Sequence, residues 1–365
     1  MRKELNNIQA LRFISSFGVV VAHIPLVRYA AQGVRADVVT IGGIGVDIFF
    51  VISGFLMCYV TEATRPGFQS ASAFLLKRIL RIAPVYWIFT AIALWLSYLS
   101  VNCPSWFTSC PFWLAPNYNI ANFDPGLILR SLTFTFFYES PIYPVAWTLV
   151  FEAWFYVLMA FSIASDFNRL KLMGTLIVGI AVLVMSGHDF SIGTAVGTLF
   201  NPLMLEFPMG MALYYFWRNG RLRWTWLAAL FLASVVAYTY LETFPASPSV
   251  LNRPFTWGLM SVPIVGAALM LEGKFKVPRL ALYFGSISYS LYLAHWLVMT
   301  TVPSLFDLYG ITLSPLAFSL ALGVISVLAA MLFYHLAEAP LAKLSKALVN
   351  GPSQRPALAK NPANQ

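Results

Sequence analysis

Residues 41–60 read IGGIGVDIFFVISGFLMCYV, twenty consecutive positions with one charged side chain, Asp47. The hydrocarbon core of a bilayer is about 30 Å thick and needs about 20 apolar residues in helical form to cross it. This stretch has that length and composition, so it reads as a transmembrane helix. The apolar run is continuous and not alternating, which disfavours a strand of a β-barrel. Four glycines lie in or beside it: Gly42, Gly43, Gly45 and Gly54. Residues that small permit close approach of another helix, or of a ligand, to the backbone. The stretch lacks the Gly-Lys-Ser/Thr ending of a phosphate loop. Ser53 has apolar neighbours and reads as a packing or backbone-bonding serine. Cys58 reads as a small apolar core residue.

Working outward, nine more apolar runs are long enough to span, or nearly so. They fall at roughly 8–27, 82–102, 142–164, 171–186, 192–217, 223–243, 256–272, 279–303 and 314–337. The expectation is an all-α polytopic integral membrane protein with about ten transmembrane helices. Composition agrees: of 365 residues, 59% are hydrophobic, 16% aromatic and only 10% charged. A soluble domain carries about a quarter charged residues. A water-soluble enzyme, a disordered chain and a disulfide-framework domain are thereby excluded. The stretch 126–138, GLILRSLTFTFFY, is apolar but too short to span and is expected at the interface or re-entering. The first run keeps Arg12 and His23 within it and shows no small-residue cleavage site, so it reads as a retained helix. Residues 1–344 form the membrane domain, and 345–365 read as a disordered cytoplasmic tail, polar and rich in Pro, Ala and Asn from Gly351 onward.

The formal charge is +9. Its distribution is the useful part, because cytoplasmic loops of membrane proteins collect Lys and Arg. With the N-terminus inside and the ten runs alternating, eighteen of the 23 lysines and arginines fall on the inner side. Four, namely Arg28, Arg35, Arg130 and Arg253, fall outside, and Arg12 lies within the first helix. The split supports an N-in, C-in orientation. It also explains the positive charge by the lipid bilayer, and no nucleic-acid partner is expected. Cys103 and Cys110 share one outside loop, where a disulfide and two free thiols are both open readings. The three cysteines form no CxxC pair, and no metal is expected.

Burying a charge in hydrocarbon costs several kcal/mol on contested scales, so each interior ionisable residue asks for a reason. Seven qualify: Arg12, His23, Asp47, Glu152, Glu206, His295 and His335. Alternating topology puts Arg12, with Arg78 and Arg81, at a basic inner mouth. His23, Asp47 and His295 fall in the outer half of the membrane, and Glu152 and Glu206 near its middle. A histidine beside a carboxylate is a usual construction for a general base toward a hydroxyl. The competing reading is that Asp47 pairs with some cation to hold helices together. Arg78 and Arg81, at i and i+3, share a helical face and could grip phosphate bidentately. Equally, cations at a cytoplasmic helix end obey the topology rule and snorkel to headgroups. The aromatics around Glu152, including Trp147, Trp154 and Tyr156, suit interfacial anchoring or a sugar-binding wall.

Six segments in order carry a family resemblance: NIQALRFISS…VVVAH, GGIGVDIFFVISGFLM, KRILRIAPVYW, AWTLVFEAWFY, ISYSLYLAHW and HLAEAPLAKL. The chain resembles membrane acyltransferase family 3, bacterial O-acyltransferases that modify surface sugars, from Asn7 to about Leu344. The opening NIQALRF is most similar to the subgroup that acetylates exopolysaccharides in Gram-negative bacteria. The resemblance implies a multi-pass protein of the bacterial cytoplasmic (inner) membrane. It also implies an acyl-CoA donor, usually acetyl-CoA, on the cytoplasmic side, and a carbohydrate or lipid-linked glycan acceptor from the other side. The first-helix histidine of the family falls on His23, its Arg-x-x-Arg element on Arg78 and Arg81, its near-amino-terminal arginine on Arg12, and a fourth-helix acidic residue on Glu152. The closing motif, often Glu-Lys-Pro, is here Glu338-Ala339-Pro340. Some members carry an attached esterase-like domain; this sequence shows none, so the acceptor is expected to be served directly or through a separate protein.

The mechanism expected from this resemblance docks the donor phosphates on Arg78, Arg81 and Arg12. His23, oriented by Asp47 or Glu152, then takes the proton of the acceptor hydroxyl. An acetyl-histidine route is the mechanistic alternative. A different class, a transporter or flippase for a sugar or lipid-linked glycan, also accommodates buried ionisable residues and aromatics.

Overall fold

The computed structural model describes residues 4–29, 40–101, 125–135, 141–187, 195–243 and 253–349. Among them every regular element is helical. Lipid cannot hydrogen-bond a backbone, so a spanning segment must satisfy its own amides, and helices do so within one segment. In chain order the α-helices are α1 (Asn6–Tyr29), α2 (Ile44–Thr61), α3 (Phe68–Val101), α4 (Pro125–Leu132), α5 (Trp147–Ala164), α6 (Arg169–Met185) and α7 (Ala195–Leu199). There follow α8 (Glu206–Arg218), α9 (Trp224–Thr243), α10 (Leu259–Met270), α11 (Arg279–Ser286), α12 (Ser288–Leu308), α13 (Pro315–Phe333) and α14 (Ala339–Val349).

The outer surface of α13 shows which solvent the fold is built for. Leu316, Leu320, Val324, Leu328, Leu332 and Leu336 repeat every four residues and are 56–70% exposed. A soluble protein does not present such a continuous apolar stripe to water; hydrocarbon is its natural contact. Six described stretches are long and apolar enough to cross a membrane: Asn6–Ile24, Ile44–Thr61, Phe68–Leu96, Pro144–Ala164, Trp224–Leu241 and Pro315–Ala347. The protein is therefore a polytopic membrane protein. The other four expected runs coincide with helices that are shorter or more polar. α6 has 17 residues, α8 has 13 and α10 has 12. α12 carries Ser288, Ser290, His295, two threonines and Asp307 along its 21 residues.

Two expected continuous spans are broken and a third passes through a wide turn without interruption, each for a local reason. The run 192–217 divides into α7 and α8, because Pro202 has no amide to donate and the Asn201 side chain accepts from Leu203 N at 3.0 Å. The run 279–303 breaks at Ile287 between α11 and α12. There Glu338 captures the Ser290 amide at 3.2 Å and the Ser290 hydroxyl at 2.6 Å, so the new helix start is capped by a carboxylate. The run 314–337 ends in a wide π turn, Tyr334–Glu338, and continues as α14. Pro340 follows that turn, and its ring cannot fit against the carbonyl four residues back in a regular α-helix. α14 reaches Val349, past the 344 boundary set for the membrane domain, because LAKLSKAL keeps its apolar residues at helical spacing. The short stretch after 125 forms α4, whose buried Ser131 bonds the Tyr86 hydroxyl at 2.7 Å. Cys103 and Cys110 lie outside the described residues, while Cys58 is buried in the core as expected.

Small residues set the spacing of the bundle. A Cβ on Gly54 would lie 2.1 Å from the Phe207 carbonyl oxygen, and one on Gly210 2.0 Å from that of Val51. α2 and α8 thus touch backbone to backbone, with Phe55 and Phe207 filling the space beside the contact. α1 is central and packs against α2, α10, α11, α12 and α13. Its first amides, Asn6 N and Asn7 N, donate to the Glu272 carboxylate at 3.1 and 2.9 Å. Gly54→Ala is expected to destabilise the protein by about 3 kcal/mol, the upper end of the range for overpacking. Gly174→Ala, with open space at its Cβ position inside α6, should raise stability by about 0.5–1 kcal/mol. Thermal denaturation in detergent compares the two; equal melting temperatures would refute the close packing.

Candidate active site

α1, α2, α3, α5 and α12 enclose a cavity of about 100 Å³. Arg12 reaches it from α1, Ser53 from α2, Arg78 and Arg81 from α3, Glu152 and Tyr156 from α5, and Tyr289 and Tyr292 from α12. The three arginines assigned to the inner mouth are thus on one wall system, together with Glu152. Arg78 stacks its guanidinium over the rings of Phe74 and Tyr156, 5.6 and 5.8 Å from their centroids. Its Nε is buried and has no hydrogen-bond partner. Glu152 accepts from the Tyr156 hydroxyl, and Ser53 Oγ lies 3.4 Å from the same carboxylate. Ser53 therefore has a polar partner that its apolar sequence neighbours did not indicate. Arg12 donates to Gln9 at 3.3 Å, and Tyr289 donates to the Ile82 carbonyl at 2.7 Å. With three guanidinium groups against one lining carboxylate, the cavity is a place for negative charge.

A second, larger groove of about 510 Å³ opens between α3 and α14. Lys77, Arg78, Arg81, Glu338, Ser345 and Lys346 line it with apolar residues between them. Arg78 and Arg81 line both spaces, which therefore adjoin at this pair. Glu338, held by Ser290, lines the groove only.

His23 stands apart from the cavity lining. It lies eleven residues beyond Arg12 on the same helix, roughly 16 Å along the axis at the α-helical rise. Its Nδ1 is 2.8 Å from the Val19 carbonyl, which can only accept, so Nδ1 carries the proton and Nε2 presents the lone pair. Its ring centroid is 5.0 Å from that of His295 and 5.8 Å from that of Trp296, the latter edge-on. His295 in turn lies 5.7 Å from the ring of Tyr292, which lines the cavity. The contact series Tyr292–His295–His23 leads from the cavity to His23. The sequence places His295 in the outer half of the membrane with His23, but not in contact with it. Its proximity to His23 depends on how α1 and α12 pack.

Asp47 is fully buried and accepts two hydrogen bonds from Arg253, at 3.0 Å from Nε and 2.9 Å from Nη2. Arg253 also lies over Trp147 and Trp257, 5.4 and 5.6 Å from the ring centroids. Of the two readings offered for Asp47, the structure displays the helix-tying cation pair. Both candidate orienters of His23 have other partners: Arg253 for Asp47 and Tyr156 for Glu152. Glu206 is also fully buried on α8, beside Asp47 and Arg253, and neither oxygen of its carboxyl makes a well-formed hydrogen bond. At the far end of the bundle His335 is exposed and bonds the Tyr283 hydroxyl at 3.0 Å.

The family profile of the acyltransferase domain matches residues 5–335 of the chain. The chain belongs to the acyltransferase 3 family of membrane proteins, and membership implies acyltransferase activity. Among relatives, it is 31% identical over 274 residues to the exopolysaccharide production protein ExoZ of Rhizobium meliloti (strain 1021), covering 72% of this chain and 78% of that protein. It is 27% identical over 294 residues to nodulation protein 10 of Rhizobium leguminosarum bv. viciae, covering 71% and 72% of the two chains. No solved structure matches it.

The Asp47–Arg253 pair makes a stability claim that a double-mutant cycle tests. Arg253→Met strands a buried carboxylate and is expected to cost about 3–5 kcal/mol. Asp47→Leu combined with Arg253→Met should cost clearly less than the two single changes added together. Strict additivity in thermal denaturation would show that the pair carries no coupling.

Proposed function

We propose that the protein transfers an acetyl group from acetyl-CoA, bound from the cytoplasmic side, to a hydroxyl of an exopolysaccharide or its lipid-linked precursor in the bacterial inner membrane. The observation that carries this reading is that Arg78 and Arg81 line both a larger groove and a smaller cavity, which we read as a neck between the two. The groove is the larger of the two spaces, so the nucleotide end of the coenzyme is assigned to it and the thioester end to the smaller cavity. The adenosine phosphates lie in the groove against Lys77, Arg81 and Lys346. The pantetheine arm passes the neck, where the unpartnered Arg78 Nε and the Arg12 guanidinium face it. The thioester then sits at the end of the cavity walled by Tyr292. The family match supports acyl transfer, and the relation to an exopolysaccharide production protein supports a glycan acceptor.

In the chemical step His23 Nε2 takes the hydroxyl proton of the acceptor. The alkoxide oxygen forms a bond to the thioester carbonyl carbon, the carbon–sulfur bond breaks, and the thiolate leaves carrying the electron pair. That thiolate receives the proton, so atoms and charge balance. Glu152, through Tyr156, positions Arg78 on the cavity wall, and Asp47 holds α2 to the turn that precedes α10. The surrounding helices keep water from the thioester.

Purified protein in liposomes, given radiolabelled acetyl-CoA and de-O-acetylated exopolysaccharide, should yield labelled glycan. Movement of unmodified glycan without label would instead indicate a transporter. His23→Ala should abolish transfer while acetyl-CoA still binds; near-normal rates in that variant would remove His23 as the base. Arg78→Ala should weaken acetyl-CoA binding about 10- to 100-fold, the range for a charge-assisted hydrogen bond. Arg78→Lys should recover only part of it, because an ammonium keeps charge but loses the guanidinium fork. Unchanged affinity in Arg78→Ala would mark this residue as a topology signal only.

A further inference from the structure

His295 is the interior group whose state the acyl-transfer scheme leaves unexplained. It is completely buried on α12. Its Nδ1 is 3.3 Å from the Leu291 carbonyl, an acceptor only, so that nitrogen holds the proton. The lone pair is then on Nε2, which is buried and has no hydrogen-bond partner. Leaving such a group unpaired is unfavourable, because its desolvation is not repaid by a hydrogen bond. A phenylalanine or leucine would fill the space without that cost, and an unsatisfied buried atom of this kind calls for a functional explanation. The ring beside it is His23, whose Nδ1 is also tied to a backbone carbonyl. Two imidazoles thus lie side by side, each with Nδ1 anchored to its own helix and each with Nε2 available.

A histidine that accepts a proton in an apolar interior needs something to stabilise the resulting imidazolium. Asp47 is engaged by Arg253 and Glu152 by Tyr156, and Glu206 lies beside the Asp47–Arg253 pair; among the described residues none of the three bonds to either imidazole. Among the described residues the titratable rings in contact with His295 are His23 on α1 and Tyr292 on its own helix. Tyr292 is not a ready acceptor for this proton, since its hydroxyl donates to the Val145 carbonyl at 2.9 Å.

We propose that His295 Nε2 is the second half of a two-histidine proton holder. This rests on the acyl-transfer reading above. The proton that leaves the acceptor hydroxyl goes to His23 Nε2. A tilt of the two rings then lets His295 Nε2 share or take it, while each Nδ1–H stays on its carbonyl. As the carbon–sulfur bond breaks, the proton moves from the His295 side, which adjoins the Tyr292 wall of the cavity, to the departing thiolate. Both imidazoles end neutral, and the products are the acetyl ester and free CoA thiol. His23 acts on the acceptor hydroxyl; His295 takes the proton from His23 and passes it to the departing thiolate.

The test uses the full-length protein in liposomes with acetyl-CoA and de-O-acetylated exopolysaccharide, under steady-state conditions. His295→Asn keeps a polar side chain of similar bulk but cannot hold a proton. It should lower kcat about 100-fold, at the low end of general acid–base effects, with KM for acetyl-CoA unchanged within twofold. Rates in H2O–D2O mixtures give a readout that packing does not move: the wild-type dependence should be bowed, as for two protons in flight, and that of His295→Asn linear. A wild-type rate in His295→Asn overturns the proposal, as does a slow variant whose isotope dependence stays bowed. His295→Gln serves in the same way should the asparagine variant fail to fold. If His23→Ala keeps full activity, the reading of His23 as base falls and the relay with it. If His23→Ala is inactive while His295→Asn is normal, only the relay falls.

Discussion

Charge inside an apolar bundle is the constraint around which the rest of this structure is arranged. The helices face hydrocarbon with leucine stripes, as α13 displays, yet they carry guanidinium, carboxylate and imidazole groups inward. Each such group must be paired, solvated or kept for a ligand. Asp47 is paired: Arg253 grips it with two hydrogen bonds, and two tryptophan faces cover the cation. Glu338 is paired with a helix start. The arginines of the neck are different. Arg78 lies against aromatic faces with Nε unsatisfied, an arrangement stable enough to persist and incomplete enough to receive an anion.

The closeness of the helices makes this possible. Gly45 lets α2 approach the Ser15 carbonyl of α1, and Gly285 lets α11 approach the Gln9 carbonyl of the same helix. With α2 and α8 also in backbone contact through Gly54 and Gly210, little free volume is left in the bundle core. The cavity survives where large polar side chains from α1, α3 and α5 meet and hold one another apart. Substituting apolar residues for them would collapse the space as well as remove its charge.

Much of the architecture was legible in the sequence because the hydrocarbon requirement is simple and local. The run from Ile44 to Thr61 is a helix in any reading, and each of the ten apolar runs coincides with helical structure. The breaks were less legible. Pro202 and Pro340 are visible signals, but the break at Ile287 depends on Glu338, some fifty residues away, supplying a cap to Ser290. The site divides along the same line. Arg78 and Arg81 share a wall by helical periodicity alone, and Arg12 joins them because α1 starts at the same side of the bundle. Depth along alternating helices placed Asp47 near His23, but depth does not choose neighbours. Arg253, counted as an outer-loop cation, was the closer partner, and His295 came to His23 by lateral packing of α1 on α12 that no residue pattern encodes.

α1 then acts as the ruler of the molecule. It carries Arg12 at the end proposed to bind the donor phosphates and His23 about 16 Å further along its axis, and it packs on α2, α11 and α12. A reagent held by its phosphates at one end and reacting at the other needs that separation kept constant. A straight, closely packed helix keeps it better than loops would. The same rigidity limits what the site can accept: a donor lacking a long arm between its charged and reactive ends could satisfy one zone only. Specificity for a nucleotide thioester would follow from the distance between the two zones, with the shape of the cavity deciding the size of the acyl group.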